Sequence, residues 1–390
     1  MSGGSLRIAL THPTCWPEVR RGSERLLHDL SHWLAGRGHT VTVISTTEGP
    51  ARMEQEGPVE RLLFSRHHPL PFRSRLWNFF HAFAFQLRDH LLSNSYDAVY
   101  CLNYHDAWGG QMARRRGASF RLVFHLSGIP MRRYFRRIPF DGLVFRRLVR
   151  DADEVLAVSR FALDHLREQY GRRGTLIAAP TDLRPYDKLE KPAPDGAREI
   201  LFVGDANEPR KGAVLLAQAF ARLRRSGDAC RLSYSGGCSD PVRAAILAEI
   251  PQEARSQVTF HGVGRVEDLP GLHAAASVVV NPAVWEAQGM VLVEALAAGT
   301  PVVGCDHAGT TDIIDDARIG RLFPPGPLNV AATNVTGLVE AIEQALELSY
   351  RAETAELCRR RAALFSWDRL GPLYENTLKG MIKNKGIVPR

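Results

Sequence analysis

The chain has 390 residues, 45% of them hydrophobic and 24% charged, a balance that excludes a disordered or fibrous polymer and leaves room for two domains with separate cores. Its six cysteines, at 15, 101, 230, 238, 305 and 358, share no short metal or redox spacing, and neither a charged-then-apolar leader nor an apolar run of about eighteen residues occurs, so a reduced, cytosolic protein without a membrane span is expected. The net charge of +8 is unevenly placed, +9 for residues 1–190 and −1 for 191–390, with eleven arginines and a single acid, Asp141, in residues 112–150. Such a surface would suit nucleic acid, a membrane or a phosphate-bearing acceptor; no nucleic-acid motif accompanies it, which disfavours the first.

The first half alternates strand and helix. Leu6–Leu10 is an opening strand, Glu24–Arg37 an amphipathic helix stopped by Gly38, and His39–Ser45 a second strand. Further strands are expected at Ala98–Cys101, Leu122–His125 and Glu154–Val158, and this order predicts a parallel, doubly wound sheet. Arg73–His90 is rich in aromatics and flanked by arginines; a helix packed on the sheet is favoured over an interfacial one. Arg184–Arg198, polar with three prolines, reads as the linker to a second strand-helix series that begins at Glu199–Val203.

In the second half, LFVGDANEPRKGAVLLAQAFARL at 201–223 is a strand, a glycine turn and then Lys211-Gly212 before a helix with apolar spacing at Leu215, Leu216, Ala219, Phe220 and Leu223. A lysine at that point can meet a diphosphate arriving at the carboxyl edge of a sheet. VTFHGVG at 258–264 is again strand then glycine.

The most informative stretch is NPAVWEAQGMVLVEALAAGTPVVGC at 281–305. Ser277–Val280 reads as a buried strand ended by Pro282, and Gly289–Ala298 as a helix stopped by Gly299 and Pro301. The start of that helix can hold phosphate on backbone N–H groups around Ala287, Gln288, Gly289, Met290 and Val291. Glu294 lies one to two turns in, leaning back toward the helix start. Glu286 sits in the approach loop, up to roughly 12 Å away at helical rise. Diol, phosphate and second polyol can be read in that order.

This segment closely resembles the Glu-x7-Glu signature of the retaining glycosyltransferases of family 4. The resemblance implies an α/β fold of the GT-B type, with two Rossmann-like doubly wound parallel-sheet domains facing a central cleft. Residues 1–190 would then form the acceptor-side domain, 191–365 the nucleotide-sugar-binding domain, and 366–390 a helical segment returning to the first. Lys211 resembles the family's phosphate-binding lysine. Where the family carries a second cation this chain has Asp205, so Arg210 is the candidate replacement. Gly262 and Val263 stand where the family seats the nucleotide base.

In the first half the resemblance is looser. Of the Gly-Gly loop expected in Thr11–Glu24 only Gly22 matches. His125, followed by Leu-Ser-Gly, stands where relatives place a histidine near the transferred sugar. Ser159-Arg160 and Pro180-Thr181-Asp182 match faintly. The resemblance thus implies His125, Glu286 and Lys211 as catalytic residues. The donor would be bound by Gly22, Arg210, Lys211, Gly262, Val263, Glu286, Ala287, Gln288, Gly289, Met290, Val291 and Glu294. Arg132, Arg133, Arg136 and Arg137 are expected on the acceptor side, their guanidinium groups sharing one face if the segment is helical.

The reaction implied is transfer of a hexose, with retention of configuration, from a nucleotide-diphosphate sugar to an acceptor hydroxyl or other nucleophile. No cofactor and no metal are expected: no Asp-x-Asp metal signature is apparent, and aspartates do not cluster with histidines at ligand spacings. The acceptor stays open among small molecule, glycan and lipid-linked species, and contact with the inner face of a membrane is compatible with the arginines. A glycoside hydrolase would need its two carboxylates within about 5–9.5 Å and no phosphate-binding helix between them. A dehydrogenase would carry Gly-x-Gly-x-x-Gly after its first strand. A non-catalytic nucleotide-sugar or anionic-polymer binding protein is the remaining alternative.

Overall fold

A computed structural model describes residues 4–67, 78–189, 191, 198–227, 229–328 and 331–383. The chain divides into two compact units, residues 1–180 with 370–390, and residues 181–369.

In the first unit the strands are β1 (Arg7–Thr11), β2 (Thr40–Thr47), β3 (Arg52–Glu56), β4 (Val59–Ser65), β5 (Ala98–Cys101), β6 (Arg121–Leu126), β7 (Glu154–Ala157) and β8 (Thr175–Leu176). The helices are α1 (Gly22–Gly36), α2 (Phe79–Ser93), α3 (Tyr104–Arg115), α4 (Pro139–Asp151) and α5 (Arg160–Tyr170). The described strands form one sheet in the order β3-β4-β2-β1-β5-β6-β7-β8. β1 pairs in parallel on both sides, Ile8 opposite Val41 and opposite Ala98, and its Ile8, Ala9 and Leu10 are fully buried, as strands covered on both faces require. α1 turns Leu26, Leu27, Leu30 and Leu34 inward at helical spacing. β3 departs from the all-parallel expectation: it runs antiparallel to β4 through a Gly57-Pro58 turn, with Glu56 opposite Val59.

α2 buries Ala82, Phe83, Ala84, Leu87 and Leu91, so the aromatic segment is a packed helix from Phe79 onward; its portion 73–77 lies outside the described residues. α2 and α3 meet closely at Gly109, where an added Cβ would stand 2.5 Å from the Ala84 carbonyl oxygen.

The C-terminal helix, Trp367–Lys383, supplies packing to the first unit. Tyr374 is fully buried and donates to the Ala178 carbonyl at 3.1 Å, while Glu375 pairs with His39 at 3.2 Å and Arg37 at 3.3 Å.

The second unit holds β9 (Arg198–Val203), β10 (Cys230–Ser235), β11 (Val258–Gly262), β12 (Val278–Asn281), β13 (Val302–Cys305) and β14 (Gly320–Phe323). Its helices are α6 (Ala213–Arg225), α7 (Asp240–Ala248), α8 (Leu269–Ala275), α9 (Met290–Ala297), α10 (Val335–Leu348) and α11 (Ala352–Ala363). The described strands run β11-β10-β9-β12-β13-β14, every pair parallel, around a core that includes Phe202, Leu216, Phe220, Val280 and Ile342. The unit begins at Thr181 instead of at 191 because the segment before the prolines is already packed there. The Thr181 N–H donates to the Phe365 carbonyl at 2.8 Å, Tyr186 meets His273 at 3.2 Å, and Lys191 reaches the Thr300 hydroxyl at 3.1 Å. Its far boundary, Arg369–Leu370, lies within the last helix.

Candidate functional site

Each sheet reverses its direction of growth once. In the second unit β9, β10 and β11 extend to one side and β12, β13 and β14 to the other, so the reversal lies between β9 and β12. Loops leaving two such strands part to opposite faces, and ligands of open α/β sheets bind in the crevice at those carboxyl ends. The loop after β9 carries Arg210 and Lys211; the loop after β12 carries Glu286.

These residues meet. Lys211, in the short 3-10 turn Pro209–Lys211, donates its ammonium to Glu286 Oε2 at 2.5 Å. The pair is largely covered, with side chains 20% and 14% exposed. Burial alone would raise the Glu286 carboxyl, but the charge and hydrogen bond of Lys211, with Arg210 and the Asn281 amide, hold it below the usual range. Glu286 is therefore a carboxylate at neutral pH. A further contact fixes its loop: the Gly309 N–H donates to the Glu286 carbonyl at 2.9 Å. Only a glycine fits there, since a Cβ on residue 309 would lie 2.0 Å from the Ala287 carbonyl oxygen.

α9 starts from Gly289 in left-handed backbone, φ 95°, with no side-chain cap. Its first N–H groups lie outside the helical ladder and bring a partial positive charge to the same loop. Ala287, Met290 and Val291 are half-buried, while Gln288 and Glu294, at 4% and 6% exposure, are buried.

Asp205 does not face this pair as a bare charge. Its Oδ1 accepts the Asn207 N–H at 3.1 Å and the Asn207 amide at 2.8 Å, closing a local Asx turn. Arg210 pairs with Glu208 at 2.6 Å. Gly262 ends β11, two strands away from β9 in the sheet, and Val263 follows it; Val263 is exposed, and the Gly262 carbonyl accepts the Gly236 N–H at 2.8 Å.

The first unit treats its candidates differently. Gly22 is exposed as the first residue of α1, next to Arg21 at the N-cap. His125 is in the core. It is fully buried on β6, its Nδ1 2.7 Å from the Tyr100 hydroxyl and its ring beside Tyr374. Burial pushes its pKa down to about 3, so it is a neutral core side chain. The expectation that His125 stands beside a transferred sugar is corrected accordingly: the inward alternation of β6 turns it under the C-terminal helix. Ser159 caps α5 through the Ala162 N–H at 3.3 Å, a structural role.

Arg132–Arg137 forms a 3-10 helix with no buried residue. At three residues per turn, positions four apart no longer eclipse, so the expected single face of four guanidinium groups is lost. Arg132 is bound to α5: its guanidinium donates to the Gln169 carbonyl and stacks 5.6 Å over the Tyr170 ring. Arg133, Arg136 and Arg137 are exposed among Tyr134, Ile138, Phe140 and Leu143, which are also exposed.

Two further corrections concern metals. The sequence does contain Asp151-Ala152-Asp153, but Asp151 is held by Arg115 and Arg150 and Asp153 by Arg114 and Arg121. Aspartate and histidine also do cluster: His81, His105 and Asp141 bring their ligand atoms within 4.8 Å of one another. Sequence spacing hid this group, because each residue comes from a different helix. The local signal that marked its place is the capping box of Asn103 and Asp106 directly after β5. Among the described residues no helix is long and apolar enough to cross a membrane.

Two sequence-family models match, one in each unit: "Glycosyltransferase Family 4" over residues 20–184 and "Glycosyl transferases group 1" over residues 197–347. A GDP-mannose-dependent alpha-(1-6)-phosphatidylinositol monomannoside mannosyltransferase of Mycolicibacterium smegmatis is 27% identical over 66% of this chain and 69% of its own length. A phosphatidyl-myo-inositol mannosyltransferase of Mycobacterium tuberculosis is 32% identical over 38% of this chain, a match that spans 39% of that relative. Among solved structures, sucrose-phosphate synthase of Thermosynechococcus elongatus superposes with a TM-score of 0.79 at 21% identity, over 96% of this chain and 99% of that one. With one model matched in each unit and a shared two-sheet architecture, the chain belongs to the family 4 glycosyltransferases and has the GT-B fold.

Proposed function

We propose that this chain transfers a hexose, with retention of anomeric configuration, from a nucleoside-diphosphate sugar to an acceptor hydroxyl, with no divalent ion in the donor site. The observation that carries the reading is the Lys211–Glu286 ion pair at the reversal point of the second sheet, beside the start of α9. A diphosphate entering there replaces part of the carboxylate around Lys211 and lies against the positive end of α9. Charge building on the leaving diphosphate is then met by fixed groups, which is where preorganised electrostatics act. Glu286, released from part of its pairing, accepts hydroxyls of the sugar and faces the positive charge that develops at the anomeric carbon. Glu294 serves the ribose diol.

The acceptor reading rests on the exposed Arg133, Arg136 and Arg137 interleaved with exposed Tyr134, Ile138, Phe140 and Leu143. Cationic and apolar groups in one short stretch suit an anionic lipid surface. Together with the names of the two mycobacterial relatives, this makes a lipid-linked inositol the first acceptor to test and GDP-mannose the first donor. The test is transfer to phosphatidylinositol vesicles from GDP- and UDP-hexoses, without added magnesium or manganese, and proton NMR of the product. An α-glycoside formed at a rate that neither ion raises supports the reading. A β-glycoside, or a rate that depends on either ion, contradicts it.

A further inference from the structure

The reversal point of the first sheet lies between β1 and β5. At its carboxyl edge three helices begin, and each contributes an early residue to one buried group: His81 from α2, His105 from α3 and Asp141 from α4, at 3%, 6% and 7% exposure. His81 Nε2 lies 3.2 Å from Asp141 Oδ1, and His105 Nε2 lies 3.6 Å from Asp141 Oδ2.

The far ring nitrogens fix the chemistry. Asn103 caps α3, and its Oδ1 accepts the His105 backbone N–H at 3.0 Å, so that oxygen is an acceptor. The same oxygen is 3.0 Å from His105 Nδ1, which must therefore carry the ring proton. His105 Nε2 then presents a lone pair. It is buried without a hydrogen-bond partner and points at a carboxylate.

His81 stands at the start of α2. Asn78 caps that helix, its Oδ1 accepting the Phe80 N–H at 3.0 Å, and the Asn78 backbone N–H donates to His81 Nδ1 at 3.3 Å, closing a capping box, so the His81 ring proton lies on Nε2, where a metal would displace it. His105, its outer N–H held by a carbonyl oxygen and its inner nitrogen aimed at the same carboxylate that His81 meets, shows the pattern in which a histidine binds metal. The Tyr104 hydroxyl donates to Asp141 Oδ2 at 2.7 Å and orients the carboxylate in the same way. Phe80 stacked on His105 and Trp108 against His81 add an apolar shell.

We propose that His81, His105 and Asp141 form a binding site for a zinc-class divalent ion that joins the starts of α2, α3 and α4. Bonds of about 2.0–2.2 Å in a tetrahedral centre place ligand atoms about 3.3–3.6 Å apart; His81 lies 3.2 Å from one carboxylate oxygen of Asp141 and His105 3.6 Å from the other, and the whole group spans no more than 4.8 Å. Three protein ligands leave the fourth position for water. A second group, His28, His32 and Glu56, is half-buried, and there Asp29 and Glu56 outweigh burial and raise the His28 pKa, which favours imidazolium over a ligand.

The test uses the full chain, stripped with chelator and titrated with cobalt(II) alone. One equivalent should bind with the strong visible absorption of a four-coordinate centre, and zinc should displace it. His105→Ala and Asp141→Asn should abolish the absorption with far-ultraviolet circular dichroism retained, whereas His28→Ala with Glu56→Gln should keep it. X-ray absorption on that last, zinc-loaded variant is independent of the folding of the others and should show two imidazole nitrogens at about 2.0–2.1 Å. No stoichiometric uptake, binding that survives in His105→Ala, or binding lost in the His28–Glu56 variant would each overturn the proposal and leave His105 as a buried imidazole beside Asp141.

Discussion

The two sheets carry polar chemistry at equivalent reversal points but build it from different distances in the chain. In the second unit Lys211, Glu286 and α9 come from two loops on adjacent strands, and the groups stay partly open, at 20% and 14% exposure for the ion pair. In the first unit the corresponding edge is filled by groups from three helices, all buried, while the sequence's own candidate His125 is sealed beneath the C-terminal helix. A site for a mobile, charged ligand needs groups that can exchange partners with it. A buried hub of fixed donors and acceptors instead favours a small occupant, because unpairing any member costs the full desolvation of that group.

That contrast can be broken first at Glu286. Glu286→Gln keeps the shape and hydrogen-bonding reach but removes the charge facing the anomeric carbon, so turnover should fall about 10²–10³-fold. His125→Gln should leave donor affinity unchanged and lower stability. If the His125 variant loses donor binding in proportion to folded protein, the first unit's edge is not sealed as described.

The next effect is shared by both units. His125 in the first and His273 in the second are fully buried, and burial pushes each pKa down to about 3. Above about pH 6.5 both are neutral whether folded or unfolded. Below it only the unfolded chain takes up their protons, so stability falls as pH drops from about 6.5 toward 3, by ~1.4 kcal/mol per pH unit for each histidine. Urea melts across that window should show the slope reduced by one histidine's share in His125→Gln and again in His273→Gln. An unchanged slope in both would mean that the histidines are protonated in the folded state.

The smallest effect is expected from the exposed arginines. Replacing Arg132, Arg133, Arg136 and Arg137 with glutamine should raise the KM for a vesicle-bound acceptor about tenfold, in line with several exposed ionic contacts of under 1 kcal/mol each, and leave donor affinity unchanged. Unaltered acceptor kinetics would make them surface charge alone. Tight, salt-sensitive DNA binding lost in the variant would point to nucleic acid instead.

How far each region was legible follows from the same contrast. The strand-loop-helix around Glu286 and Glu294 is contiguous, so periodicity, Gly289, Gly299 and Pro301 mark its elements to within a residue or two, and Lys211 is flagged by its own strand-turn-helix. The role of Asp205 was not legible, because it depends on the side chain of Asn207 closing a turn. The β3–β4 hairpin was signalled only by Gly57-Pro58 between two short runs with charges on both faces, among them Arg61, which is buried against Glu54 and Glu56. His125 was misjudged because strand position fixes height in the sheet but not which face a residue takes, and that face is covered by Tyr374 from the far end of the chain. His81, His105 and Asp141 are drawn together by tertiary packing across Gly109 and by three helix starts, which no local pattern encodes.

The central claim is that the loops after β9 and β12 form the donor site, and calorimetric titration with a nucleoside diphosphate tests it most directly. Lys211→Ala removes a cation from the diphosphate and Glu294→Ala an acceptor from the ribose diol. Each should weaken binding by about 1.5–3 kcal/mol, roughly ten- to 150-fold, with the fold unchanged by circular dichroism. Wild-type affinity in both variants would place the donor elsewhere and contradict the assignment.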